Sequence, residues 1–204
     1  MKQTFTAIII AALLWFMMFS PLTAPHLDFW LVMACSALIL IALSAWLGKN
    51  FRSQFRFNIK DLAIGVVSAA VLWVIFYLGN YFSSLLFDFA KPQVADIYSL
   101  KNGMNPALLT ALLLFLIGPA EELFWRGFVQ RKFGERYGEW TALFAATAIY
   151  AMVHIWSFNF MLIMAAVVCG GFWGLLYKWN KNMLTLCVSH ALWDVAAFVV
   201  FQIR

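Results

Sequence analysis

Apolar segments of about 20 residues, the length a helix needs to cross a bilayer at a rise of about 1.5 Å per residue, recur from one end of this chain to the other. They fall at about 4–20, 28–47, 62–87, 105–125, 140–156, 160–177 and 183–203. The expected fold is an all-α, polytopic integral membrane protein, a single bundle of about seven transmembrane helices. Composition agrees with this. Of 204 residues, 65% are hydrophobic and 11% charged, against about 25% charged in an ordinary soluble domain. The spans leave no room for a separate soluble domain.

Charge placement orients the bundle, because short cytoplasmic loops carry an excess of lysine and arginine. With the N-terminus inside, the inner segments hold Lys2, Lys49, Arg52, Arg56, Lys60, Arg126, Arg131, Lys132, Arg136, Lys178 and Lys181. The outer segments keep Lys91, Lys101 and Arg204. Eleven against three predicts a multi-pass protein of the cell (inner) membrane, N-terminus cytoplasmic and C-terminus outside. The net charge of +5 is then mostly topology, and it implies no nucleic-acid partner.

The first segment has a rival reading. Lys2, an apolar run and Leu22-Thr23-Ala24 also fit a secretory signal with a small-residue cleavage site, although the length of the run and Pro25 beside the cleavage point favour a retained helix. Cys35, Cys169 and Cys187 all fall inside spans without C-x-x-C spacing and read as small core residues. The connection "GKNFRSQFRFNIKD" (48–61) alternates cations with phenylalanines, as a segment in contact with lipid headgroups does. The loop 88–105 is the longest outer segment and is placed to cover the outer mouth of the bundle. On the sixth span, Gly170-x-x-x-Gly174 is a close-packing spacing, expected to serve a contact inside the monomer.

Once every charge that can reach an interface is set aside, Glu121, Glu122, His154, His190 and Asp194 remain inside spans. A charged group at mid-bilayer costs on the order of 3 kcal/mol on insertion scales, so these residues should face the bundle interior or a water-filled cavity. Glu122 and Arg126 are four apart and share a helix face, which leaves Glu121, turned by about 100°, free for another task. His190 and Asp194 repeat that spacing, and an aspartate so placed can fix an imidazole tautomer. Singly, each pair also reads as structural. Two carboxylates, two histidines and a third carboxylate on three apolar spans are most economically satisfied in one shared polar site.

In their order along the chain, Glu121-Glu122-x-x-x-Arg126, Tyr150-x-x-x-His154 and His190-x-x-x-Asp194 resemble the three motifs of the CPBP family, the type II CAAX prenyl proteases and the bacteriocin-processing and self-immunity membrane proteins. The resemblance covers about residues 105–200. It divides the chain into N-terminal transmembrane helices and loops (1–104) and a catalytic core (105–204) within one structural unit. Two positions depart from the family pattern: Tyr150 stands where phenylalanine is usual, and Asp194 where the prenyl proteases have asparagine. An ionised aspartate accepts hydrogen bonds and cannot donate one to an oxyanion.

The resemblance implies an intramembrane endopeptidase that draws a membrane-associated peptide or protein from the cytoplasmic side into a water-containing cavity. Glu121 would be the general base, His154 would hold the same water, and His190 would stabilise the oxyanion, oriented by Asp194. Glu122, Arg126 and Tyr150 would support them. No cofactor is favoured. The competing mechanism is a zinc protease with Glu121, His154 and His190 as ligands, although no H-E-x-x-H motif is present. From outside this class come a carrier, which also places carboxylates and histidines at mid-membrane, and a non-catalytic scaffold or immunity protein. One geometric demand is visible in advance. Counted at helical rise from the cytoplasmic ends, Glu121 lies roughly 15 Å deep, His190 roughly 10 Å and His154 roughly 20 Å, so the fifth span must tilt or start high for the three to meet.

Overall fold

Five of the long helices begin where the sequence supplies an Asx cap. Asp28, Asn58, Asn105, Asn159 and Asn182 each accept a backbone N–H from the first turn that follows, and Pro106 sits just inside its helix, where the missing N–H costs nothing. The computed structural model describes residues 1–48 and 52–203. Lys49 and Arg204 of the charge pattern, and residues 49–51 of the 48–61 connection, lie outside the described residues.

Among the described residues, seven helices are long and apolar enough to cross a membrane. They are α1 (Lys2–Phe19), α2 (Phe29–Leu47), α3 (Ile59–Leu86), α5 (Pro106–Tyr137), α6 (Glu139–Met152), α7 (Phe160–Asn180) and α8 (Met183–Val200). A shorter helix, α4 (Ala90–Ser99), lies in the connection between α3 and α5. The protein is therefore a polytopic helical membrane protein, and the expected number of spans agrees.

The spans bury small residues together with a few large ones and expose large apolar side chains on their outer faces. On α1, Ala7, Ala11 and Trp15 recur every four residues and are buried, while Phe5, Ile9 and Leu13 on the opposite face are exposed. With lipid as apolar as leucine, such a helix joins the bundle by close packing of small side chains. Gly170 and Gly174 behave as their spacing predicts: a Cβ on Gly170 would lie 3.0 Å from Thr147, and one on Gly174 would lie 3.2 Å from the Gln130 side chain. The contact is internal, between α7 and its neighbours α5 and α6.

The fourth span differs from its expected end near residue 125, running on to Tyr137. It continues because its second half is also buried: Trp125, Arg126, Phe128, Val129 and Gln130 all face the interior. Arg126 is therefore a bundle residue and not one of the loop cations that orient the protein. This helix widens into π-helical turns at Leu113–Ile117 and Trp125–Gln130, on either side of the glutamates. Pro119 explains the first, since a proline inside a helix cannot bond the preceding turn. The site is thus carried on a stretch of helix with altered register at both ends.

Candidate active site

The two adjacent glutamates face different partners. Glu122 is fully buried, and its Oε1 accepts from Arg126 Nη1 at 2.8 Å and from His190 Nδ1 at 2.8 Å. The guanidinium continues inward: Nη2 donates to the carbonyls of Cys169 (3.3 Å) and Gly170 (3.4 Å), and the group lies over the rings of Tyr150 and Trp173 at 5.0 and 5.5 Å from their centroids. Buried charges are tolerated when paired and hydrogen-bonded, and this arrangement does both. Glu121, turned around the helix as the spacing requires, accepts a hydrogen bond at Oε2 from Tyr150 Oη at 2.8 Å.

His190 is clamped on three sides. Its ring stacks on Trp173 with centroids 3.8 Å apart and planes 19° from parallel, its Nδ1–H points to Glu122, and its Nε2 stands 3.6 Å from Asp194 Oδ2. The short bond that orients this imidazole comes from Glu122, not from Asp194, four residues along its own helix. Asp194 faces the opposite nitrogen at longer range.

His154 closes the group from the end of α6, where the helix gives way to a 3₁₀ turn at Ile155–Ser157. It stands level with Glu121 because α5 runs on to Tyr137: Glu121 is 16 residues from that end and His154 is 15 residues from the start of α6 at Glu139, roughly 24 and 22 Å at helical rise. Trp15 Nε1 of α1 donates to His154 Nε2 at 3.0 Å, and His154 Nδ1 lies 2.8 Å from the Tyr150 carbonyl. An indole N–H only donates and a carbonyl only accepts, so the His154 proton is on Nδ1. Both ring nitrogens are thereby engaged. A water or a metal would have to displace Trp15 to reach this histidine.

The proposed zinc set is tested by the same geometry. Glu121, His154 and His190 do not form a donor set in this arrangement: the His154 lone pair is aimed at an indole, and among the described residues no three His, Cys, Asp or Glu side chains are grouped to hold a metal.

Glu121, Tyr150, His154, His190 and Asp194 line one cavity of about 430 Å³, otherwise mostly apolar. All seven residues singled out in the sequence belong to this site or to the network directly behind it. Trp15 and Trp173 were not singled out. For Trp173 the available signal was its depth, since tryptophan in a membrane protein favours the interfaces and this one stands well inside α7; Trp15, one turn from the end of α1, gave no such signal. α1 packs Ala7, Ala11, Trp15 and Met18 into the core and supplies a partner to the site. Trp15→Phe should leave a buried ring nitrogen without its donor and destabilise the protein by about 1–3 kcal/mol, read as a lowered unfolding temperature of the detergent-solubilised protein.

The family model for type II CAAX prenyl endopeptidase Rce1-like proteins matches residues 103–196. That stretch runs from just before α5 into the end of α8 and contains all seven of the motif residues described above. Comparison with curated proteins and with solved structures gives no match. The match falls on the helices that carry the buried carboxylate–histidine site, so over residues 103–196 this seven-span chain is similar to the type II CAAX prenyl endopeptidase Rce1-like proteins.

Proposed function

We propose that this protein hydrolyses a peptide bond of a membrane-associated protein or peptide with a water activated by Glu121. The observation that supports this reading is the position of Glu121, a buried carboxylate that lines an apolar cavity and has one oxygen, Oε2, held by Tyr150. Its other oxygen, Oε1, takes a proton from water as the water oxygen attacks the scissile carbonyl, and the proton then passes to the departing amine nitrogen. His190 stabilises the oxyanion from Nε2 when that nitrogen carries a proton; Glu122 fixes the ring through Nδ1. Asp194 is an acceptor beside Nε2 and positions it. Tyr150 positions Glu121, and His154 positions Tyr150, against which its ring packs edge-on at 5.2 Å between centroids.

Access is supported on one flank. Ile75, Gly79 and Phe87 of the α3 side and Phe160 and Met164 of α7 line the cavity and are also exposed, so the cavity opens between these helices. A Cβ on Gly79 would meet nothing within 4 Å. Gly79→Phe should therefore fold normally and lower the cleavage rate at least about tenfold by narrowing this opening, measured as initial rates at matched enzyme concentration; unchanged rates would place access elsewhere.

The test of the function compares new protein termini in membranes carrying the wild type or Glu121→Gln at matched expression. Termini confined to the wild type support proteolysis and identify the substrate. Identical sets of termini, with both proteins folded in the membrane, would replace this reading with a scaffold or a carrier.

A further inference from the structure

The cavity occupies only one half of the bundle, and the distribution of charge says which side of the membrane that half faces. The first residues of α1 and α3, the end of α5, the start of α6, and the junction of α7 with α8 lie together at one end, where Lys181 and Lys178 pair with Glu139 and Arg56 bonds the Asn180 carbonyl at 2.7 Å. At the other end lie α4, the end of α8 and the start of α7, tied by Tyr98 Oη to the Ala197 carbonyl at 2.9 Å and by Asn159 to the Gln93 carbonyl at 2.8 Å. Cavity-lining positions come from the halves of the helices nearest α4: Phe19 closes α1, Phe29 opens α2, Phe160 opens α7, and the lining of α8 begins only at His190.

The opposite half is filled. Glu122, Trp125, Phe128, Met183, Thr185 and Leu186 are buried there and none lines the cavity. Beyond them a polar clamp joins three elements, with Asn180 Nδ2 donating to Asp61 Oδ1 and to Thr185 Oγ1, each at 2.8 Å. A peptide has no path to Glu121 from that end.

With Arg126 removed from the count as an interior residue, Lys2, Arg52, Arg56, Lys60, Arg131, Lys132, Arg136, Lys178 and Lys181 mark the filled end, and Lys91 and Lys101 the cavity end. Among the described residues this is nine cations against two. The bias places the filled end in the cytoplasm.

We infer that the site opens away from the cytoplasm, through the α4 end and the adjoining flank between α3 and α7, and that the substrate is a membrane-anchored chain whose scissile, largely apolar segment lies in the outer half of the bilayer or just beyond it. The inference rests on the peptidase reading for its substrate, but its geometry is independent of that reading. It reverses the approach from the cytoplasmic side that the motif resemblance suggested. A C-terminal tail held at the cytoplasmic face would meet the closed half of the bundle.

The experiment uses full-length protein in the membrane on a Cys35→Ser, Cys169→Ala background, since Cys35 is exposed and Cys169 lines the cavity, whereas Cys187 is buried outside it. Ser99→Cys on α4 reports the side of the membrane, Val94→Cys reports the cavity, and Arg136→Cys is the counterpart at the filled end. A membrane-impermeant maleimide added to sealed right-side-out cells should label Ser99→Cys and Val94→Cys at least about tenfold more than in sealed inverted vesicles, with the opposite ratio for Arg136→Cys. Reversed ratios overturn the inference, as does labelling of Ser99→Cys with none at Val94→Cys. In a second arm, modification of Val94→Cys from outside should abolish the enzyme-dependent termini, and their persistence overturns this route while leaving proteolysis intact. Absence of enzyme-dependent termini before modification defeats the peptidase reading alone, and the labelling ratios still decide which side the site faces.

Discussion

Glu121→Gln should lower cleavage by about 10³-fold while the protein stays folded, the largest effect on activity expected of any single substitution here. Glutamine has the same shape, and its amide oxygen can still accept the Tyr150 hydroxyl that now bonds Oε2 at 2.8 Å. What is lost is the ability to take a proton from water, which is the whole task assigned to this side chain. The measurement is an initial-rate comparison on the substrate identified from wild-type-specific termini, together with the unfolding temperature of both proteins. A variant that cleaves within a few-fold of the wild type would remove Glu121 from the chemistry. Tyr150→Phe supplies the graded companion, since it keeps the base but frees its carboxylate; a loss smaller than that of Glu121→Gln distinguishes a positioning hydroxyl from an essential one.

The largest stability effect belongs to the neighbouring position. Glu122→Ala should destabilise the protein by about 3–5 kcal/mol, because it leaves the buried Arg126 guanidinium without its counter-charge. The same carboxylate oxygen serves Arg126 and His190, so both lose their acceptor together. The protein remaining monodisperse after graded heating in detergent reads this directly. Replacing the pair, Glu122→Leu with Arg126→Met, should recover most of the loss, since removing both charges also removes their desolvation cost. Recovery should stop about 1–3 kcal/mol short, the cost of the orphaned His190 N–H, and activity should not return. If the single variant proves as stable as the wild type, the ion pair does not hold α5, α7 and α8 together.

These two adjacent glutamates also show how far the chain could be read without coordinates. Four-residue spacing placed Glu122 on Arg126 and turned Glu121 away, and both placements agree with the structure because a helix fixes relative direction over a single turn whatever surrounds it. The same spacing was less informative for His190 and Asp194. They do face each other, yet the short bond on His190 comes from Glu122, on a different helix and 68 positions away. Local geometry gives the neighbours a side chain can have, and packing chooses among them.

The seven spans and the charge bias between the two ends were legible in the sequence, because each depends on a local property: the length of an apolar run and the charge of a loop. Nothing local could announce that Trp15 of the first helix donates to His154, a partner 139 residues away, or that Trp173 stacks on His190. The end of the fourth span was misplaced for a related reason: an arginine paired within its own helix can still sit at a membrane edge, and only the Cys169 and Gly170 carbonyls of α7 show that Arg126 is buried. Which half of the bundle holds the cavity was decided by tertiary structure alone. Hydropathy marks which segments cross the membrane, whereas the space between them depends on which large side chains meet at each depth, and only their packing determines that.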